Sequence, residues 1–275
     1  MKIYTVGNHK GGTGKSVVAV NFAAGAALAN PDLQVLQIDM DPQAHATRGL
    51  GVEPSNDIDS MYNVYMHETP LYEVARETGN VEEENYEKRR IKNLYIAPSY
   101  ILMKNVPKYF TEQAARRNRG PYADPIPEDS AENMDFLLNK INEMDVDIVV
   151  IDTPPNLEML TQHAIYAADY VIVPCNTGKK SLDGFSELED EIDRMNNKER
   201  TVKIVLNQYD SRRTIENEYT MEQLEGYESM LLNTKIRNSS ALVHSDIFTE
   251  PVLRLRPSGI SAQDFKNLTQ EILNG

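Results

Sequence analysis

Three glycines, at positions 11, 12 and 14, constrain this chain more than any other feature. They stand between Lys2-Ile3-Tyr4-Thr5-Val6-Gly7-Asn8, which reads as a short buried strand, and residues 17–29, which read as a helix with apolar residues on every side. The connecting turn is His9-Lys10-Gly11-Gly12-Thr13-Gly14-Lys15-Ser16. A Cβ at these glycines would block the approach of a phosphate, or forbid the backbone angles that let consecutive N–H groups converge on one point. The helix that follows brings its positive dipole end to the same place. Lys15 is then placed to reach the β and γ phosphates of a nucleoside triphosphate, and the Ser16 hydroxyl to ligate Mg²⁺.

The ordinary phosphate-loop pattern asks for glycine at 9, where this chain has His9, and an extra lysine, Lys10, stands five residues before Lys15. The run from Lys10 to Ser16 resembles the deviant Walker A loop of the ParA/MinD family of ATPases, most of all its ParA-type members. The resemblance implies that Lys10, Gly11, Gly12, Thr13, Gly14, Lys15, Ser16 and Val17 contact ATP, with Lys10 and Lys15 in catalytic roles. It also implies that Lys10 reaches across a dimer interface to the partner's nucleotide.

Two further stretches fit a nucleotide site. Gln34-Val35-Leu36-Gln37-Ile38 reads as a strand that runs into Asp39-Met40-Asp41-Pro42-Gln43. In a parallel sheet the carboxyl ends of neighbouring strands share one edge, so these aspartates come beside the glycine loop. Residues 146–152 form a β-branched run that ends in Asp152, the pattern of a doubly buried strand delivering one carboxylate to the outer shell of a metal. The resemblance makes Asp41 the residue needed for hydrolysis, puts Asp39 near the Mg²⁺ shell, and reads Asp152-Thr153-Pro154-Pro155 as the segment that senses the γ phosphate. Taken alone, the Asp39–Asp41 pair equally suits a turn and its cap, and Asp152 a capped core strand.

The chain has 275 residues and a net charge of −14, which excludes a wholly basic surface and confines any nucleic-acid contact to a local or dimer-assembled patch. Its one cysteine, Cys175, excludes a disulfide framework and a cysteine metal site within one chain, and reads as a core residue. No apolar run approaches about eighteen residues and no signal peptide is legible, so the expected location is cytoplasmic. Residues 1–275 read as a single P-loop ATPase domain of the α/β class, a doubly wound, mostly parallel sheet flanked by helices. A segment around 55–135 diverges from the family. It holds the charge run Glu77, Glu82, Glu83, Glu84, Glu87, Lys88, Arg89 and Arg90, a short strand at 94–98, and Arg116, Arg117 and Arg119 interleaved with Tyr109 and Tyr122. Those arginines suit either a surface helix before a proline-rich loop or a contact with DNA or protein.

Further on, residues 170–174 and 202–210 read as strands, residues 181–188 open a helix, and residues 259–273 form an amphipathic helix too poor in Lys and Arg to anchor on a membrane. The resemblance makes Asn207 a contact to the adenine edge, although an amide there also suits a tie to its own loop. It implies an ATP-state homodimer that binds double-stranded DNA without sequence preference, so the protein is expected on the nucleoid. The DNA candidates are Arg212, Arg213, Arg237, Arg254 and Arg256, which otherwise read as exposed partners for acids. Slow hydrolysis of ATP with Mg²⁺ is expected, stimulated by a separate ParB-like or McdB-like adaptor, with a plasmid, a chromosome or a protein assembly such as a carboxysome as cargo.

Overall fold

Among the described residues, eight strands make one sheet: β1 (Lys2–Val6), β2 (Val35–Asp39), β3 (Arg76–Glu77), β4 (Leu94–Ala97), β5 (Ile148–Asp152), β6 (Tyr170–Cys175), β7 (Thr201–Tyr209) and β8 (Leu231–Arg237). The computed structural model describes all residues except 56–58, 68, 80–89, 118–132, 179–182 and 196–197, and only the backbone of 114–117 and 183. The sheet order is β3-β4-β2-β5-β1-β6-β7-β8, and every pairing is parallel except that of the edge strand β3 with β4. From β1 the chain passes to β2 and on to the β4–β3 edge, returns to place β5 between β2 and β1, and then winds outward through β6, β7 and β8, so the expected doubly wound sheet is present. Its crevice opens where the carboxyl ends of β2, β5, β1 and β6 come together.

The central strands are buried on both faces, which is why their sequences are almost continuously apolar. On one face lie α1 (Lys15–Ala29), α2 (His45–Gly49), α11 (Val252–Leu255) and the C-terminal α12 (Ile260–Asn274). Phe22 of α1 and Phe265 of α12 are fully buried there, each worth about 1.5–3 kcal/mol relative to exposure. Gly25 lets α1 and α12 approach, since a Cβ at that position would stand 2.2 Å from Thr269 Oγ1. The opposite face carries α3 (Met61–His67), α4 (Leu71–Val74), the turn Ile101–Asn105, α5 (Val106–Arg117), α6 (Phe136–Asn142), α7 (Met159–Ala167) and α8 (Asp183–Arg194). Two more helices, α9 (Thr214–Gln223) and α10 (Ser240–Ile247), follow the carboxyl ends of β7 and β8.

Buried side chains close the ends of these elements. Asn93 donates from its amide to the carbonyls of Ala27, Asn30 and Leu33 at 3.0, 3.2 and 2.7 Å, satisfying the C-terminal end of α1. Within α1, Asn21 accepts the Val252 N–H at 2.9 Å and so fixes the start of α11. Cys175 is fully buried and burial pushes its thiol up to about 12, as suits a core residue.

Two strands escape the reading of the sequence. β3 has two residues, and β8 (Leu-Leu-Asn-Thr-Lys-Ile-Arg) alternates on a half-exposed edge without a strong apolar signal. The charge run is described only at its borders, where Arg90 pairs with Glu77 at 2.6 Å. Residues 80–89, Arg119, Tyr122 and the proline-rich loop lie outside the described residues, as do the side chains of Arg116 and Arg117.

Candidate functional site

The glycine loop leaves β1 and enters α1 along a path that glycine makes accessible. Gly12 and Gly14 have φ of 77° and 82°, the left-handed region. A Cβ on Gly14 would stand 2.2 Å from Asn207 Nδ2, so this position needs glycine for space as well as for angle. Asn8 ties the base of the loop, accepting the Lys10 N–H at 2.9 Å and donating to the Pro174 carbonyl at 2.9 Å. Gly184 lets α8 close on the same segment, where a Cβ would meet Asn8 Oδ1 at 2.9 Å. Lys15 is 7% exposed and its ammonium donates to the Lys10 carbonyl at 3.0 Å. Burial lowers its pKa, with the Asp152 and Asp41 carboxylates opposing. Lys10, Ser16 and Val17 are half-buried.

Three carboxylates gather beside it, and the structure separates their roles. Asp39 and Asp152 are adjacent in register on β2 and β5, both without solvent exposure. Both oxygens of Asp39 are taken: one accepts the Asp41 N–H at 3.0 Å, and the other accepts the Thr47 N–H and hydroxyl at 2.8 and 2.7 Å. Asp39 therefore shapes the segment that carries Asp41 and opens α2. Asp41, 7% exposed, accepts the Gln43 N–H at 2.9 Å and lines the cleft above the loop.

Asp152 is the opposite case, since neither of its oxygens makes a protein hydrogen bond of normal geometry among the described residues. Burial drives its pKa well above the ordinary carboxylate value and Asp39 adds to this, while the nearby Ser16 hydroxyl and Lys15 pull the other way. A buried carboxylate that makes no well-formed hydrogen bond among the described residues, beside a lysine and a serine at a helix start, is a fitting neighbour for a hydrated cation. Among the described residues no cluster of three or more His, Cys, Asp or Glu side chains stands ready to hold a metal alone. The donor set thus fits a cation that arrives with its own oxygen ligands, as Mg²⁺ does with a nucleotide.

A cleft of about 520 Å³ lies over the loop, a size suited to a mononucleotide. Its far wall is the start of α10, with Asn238, Ser239 and Leu242, and its near rim includes Gln43 and His45. None of these five was foreseen as a nucleotide contact: the approach of Asn238, Ser239 and Leu242 depends on β8 and α10, and Gln43 and His45 follow Asp41 in the segment after β2. Asn207 is buried at the same wall, where its Nδ2 donates to the Thr13 carbonyl at 2.7 Å and its Oδ1 has no partner among the described residues. The amide does tie the loop, and it retains one acceptor.

The five arginines do not form one free basic face. Arg212 is held by Asp210, with Nε at 2.9 Å and Nη2 at 2.7 Å from its two oxygens. Arg237 forks onto the buried Asp264, donating from Nε at 3.0 Å and from Nη2. Arg256 is exposed with one nitrogen 3.4 Å from His244 Nδ1, Arg254 lies in α11, and Arg213 is exposed at the start of α9.

Sheet, glycine loop, buried lysine and strand-end carboxylates together define a P-loop nucleotide-binding protein of the doubly wound α/β class. A family model described as an AAA domain matches residues 1–206. The virulence plasmid ParA family protein pGP5-D of Chlamydia psittaci is 30% identical over 100% of this chain and 95% of its own length. The chromosome partitioning protein ParA of Myxococcus xanthus is 26% identical over 99% of this chain and 88% of its own. Among solved structures, an ATP complex of McdA from Cyanothece superposes with a TM-score of 0.77 at 15% identity, covering 100% of this chain and 96% of that one, and so shares the fold. The chain belongs to the ParA family of P-loop ATPases.

Proposed function

We propose that this chain is a ParA-type ATPase whose ATP-bound homodimer positions or segregates a cargo on DNA. The observation that carries the nucleotide site is the pairing of the glycine loop and buried Lys15 with Asp152, whose two buried oxygens make no well-formed hydrogen bond among the described residues and have the Ser16 hydroxyl nearby. In this reading the loop N–H groups from Gly11 to Ser16 and the Lys15 ammonium hold the phosphates, Ser16 ligates Mg²⁺, and Asp152 holds its outer shell, with Asp39 behind. Val17 packs beside the nucleotide, and the free Oδ1 of Asn207 accepts from the base. Bound MgATP supplies an electrophilic phosphorus whose developing charge needs neutralising. Lys15 neutralises that charge from within the chain, Asp41 orients the attacking water and takes its proton, and Lys10 does for the partner what Lys15 does at home.

The assignment of residues 1–275 to one ATPase domain is supported by the single continuous sheet. Relatives named for plasmid and chromosome partition support a cargo-moving role, with a plasmid, a chromosome or a protein assembly as cargo and a separate ParB-like or McdB-like adaptor that stimulates turnover. Among the described residues no helix is long and apolar enough to cross a membrane. In the ATP state the protein is cytoplasmic and nucleoid-bound, with the exposed Arg213 and Arg256 as the main phosphate contacts and Arg254 beside them. Arg212 and Arg237 support them from within their carboxylate pairs. The test is binding to random-sequence duplex DNA with MgATP, with ADP and without nucleotide, at low and physiological salt. Salt-sensitive binding confined to MgATP is expected. Equal binding in all three states, or none, overturns the DNA part of the reading, and failure to hydrolyse ATP in the same samples overturns the enzymatic part.

A further inference from the structure

A phosphate loop works only if its peptide N–H groups face the ligand, and in Gly11-Gly12-Thr13-Gly14 the loop's own residues do not secure that orientation. Glycine takes positive and negative φ at similar cost, so the peptide units around Gly12 turn over easily. In a trans peptide the C=O and the following N–H lie in one plane and point in opposite directions within it. Whatever grips the Gly12 carbonyl therefore decides where the Thr13 N–H points, and the Thr13 carbonyl does the same for the Gly14 N–H.

Two side-chain amides grip the Gly12 carbonyl. Asn176 Nδ2 donates to it at 3.2 Å and Gln208 Nε2 at 3.2 Å, and Asn176 Nδ2 also lies 3.3 Å from Gln208 Oε1. The next carbonyl, of Thr13, is held by Asn207 at 2.7 Å. Consecutive residues of a regular strand point to opposite faces, so residues 207 and 208 should not both reach the loop. They do because Gln208 adopts φ of 53°, where the pairing of β7 with β8 shifts between Leu206 and Tyr209. A left-handed backbone at a long side chain is costly and is kept where the surroundings demand it. Here it turns a second amide toward the loop, alongside Asn176 from the end of β6.

We propose that Asn176 and Gln208 are positioning residues for the phosphate loop, locking the Gly12 carbonyl so that the Thr13 N–H faces the β phosphate. They act through the loop backbone and leave the reacting atoms to Lys15 and Asp41. Their contribution is to the affinity for ADP and ATP alike, since both carry a β phosphate, and not to the hydrolysis of bound ATP. This inference rests on the reading of the loop as the ATP site.

The test measures ADP and MgATP affinity by calorimetry, single-turnover hydrolysis at saturating ATP, and the urea midpoint without nucleotide. It compares the full chain with Gln208→Gly, Gln208→Glu and Asn176→Ala/Gln208→Gly. Glycine accepts the left-handed backbone, so Gln208→Gly keeps the fold while removing a donor. Gln208→Glu keeps the shape and sets an acceptor against the Gly12 carbonyl. The double variant is expected to bind ADP and ATP each about tenfold more weakly, with unchanged single-turnover rate and urea midpoint. Gln208→Glu should weaken ADP binding at least as much as Gln208→Gly. Unchanged ADP affinity in all three variants, beside a wild type that binds, overturns the proposal and leaves the ATP reading standing. A wild type that binds neither nucleotide overturns both.

Discussion

Asp39 and Asp152 stand side by side in register at the ends of β2 and β5, yet among the described residues the first accepts three well-formed protein hydrogen bonds while the second accepts no well-formed one and has the Ser16 hydroxyl nearby. Two fully buried carboxylates so close together divide their work. Asp39 is a structural anchor for the Asp41 segment, and Asp152 is left with lone pairs that no well-formed hydrogen bond among the described residues fills.

That contrast predicts a pH dependence of folding. Burial pushes the Asp39 carboxyl up to about 7 from an unfolded value of 3.8. Between those values the folded chain holds a proton that the unfolded chain has released, so stability falls as pH rises through the window and the loss is complete above about 7. Urea unfolding without nucleotide, from about pH 5.5 to 7.5, should show the wild type losing more stability than Asp39→Asn. Parallel curves for the two proteins would sink this account.

Lys15→Ala should weaken ATP binding by about two orders of magnitude, the size of losing a charge-assisted contact to phosphate. Its ammonium is already buried and its hydrogen bond to the Lys10 carbonyl is readily exchanged for a phosphate oxygen. Calorimetry with ATP and Mg²⁺ reads the change, and an affinity equal to wild type would remove Lys15 from the site.

Asp41→Ala should bind ATP normally and turn it over about 10²–10⁴-fold more slowly, as expected for losing a general base. The variant should accumulate as dimers under ATP in light scattering. Lys10→Ala should bind ATP as a monomer and dimerise poorly. If Lys10→Ala instead lost nucleotide as completely as Lys15→Ala, Lys10 would belong to its own chain's nucleotide.

Gly25→Ala probes packing away from the cleft. The new Cβ would lie 2.2 Å from Thr269 Oγ1 and 3.2 Å from its Cβ, so α1 and α12 must separate. The expected loss is about 1–3 kcal/mol in urea unfolding. Thr269→Ala in the same chain should restore part of it, because the two residues touch. Additive losses in the double variant would show that the strain lies elsewhere.

Much of this protein was legible before any coordinates. The glycine loop between an apolar strand and an apolar helix, the Asp39–Asp41 segment and the run ending at Asp152 are local patterns, and neighbouring residues suffice to express them. Parallel pairing then brings their ends together as a consequence of the α/β order. The sequence alone determined the doubly wound sheet and the place of the glycine loop, with Lys15 at its end, between the first strand and the first helix.

The tertiary structure decided what depends on distant segments meeting. The far wall of the cleft comes from β8 and α10, more than 200 residues from the loop, and no local pattern marks Asn238, Ser239 or Leu242 as its lining. Arg212 and Arg237 read equally as part of a basic patch or as partners for acids, and the tertiary structure shows Asp210 and Asp264 holding their guanidinium groups. The grip of Asn176 and Gln208 on the Gly12 carbonyl needs a left-handed residue in a strand, a conformation set by the pairing of β7 and β8 and not by the residue itself. Local sequence encodes which backbone groups are available; only the assembled sheet determines which of them find partners.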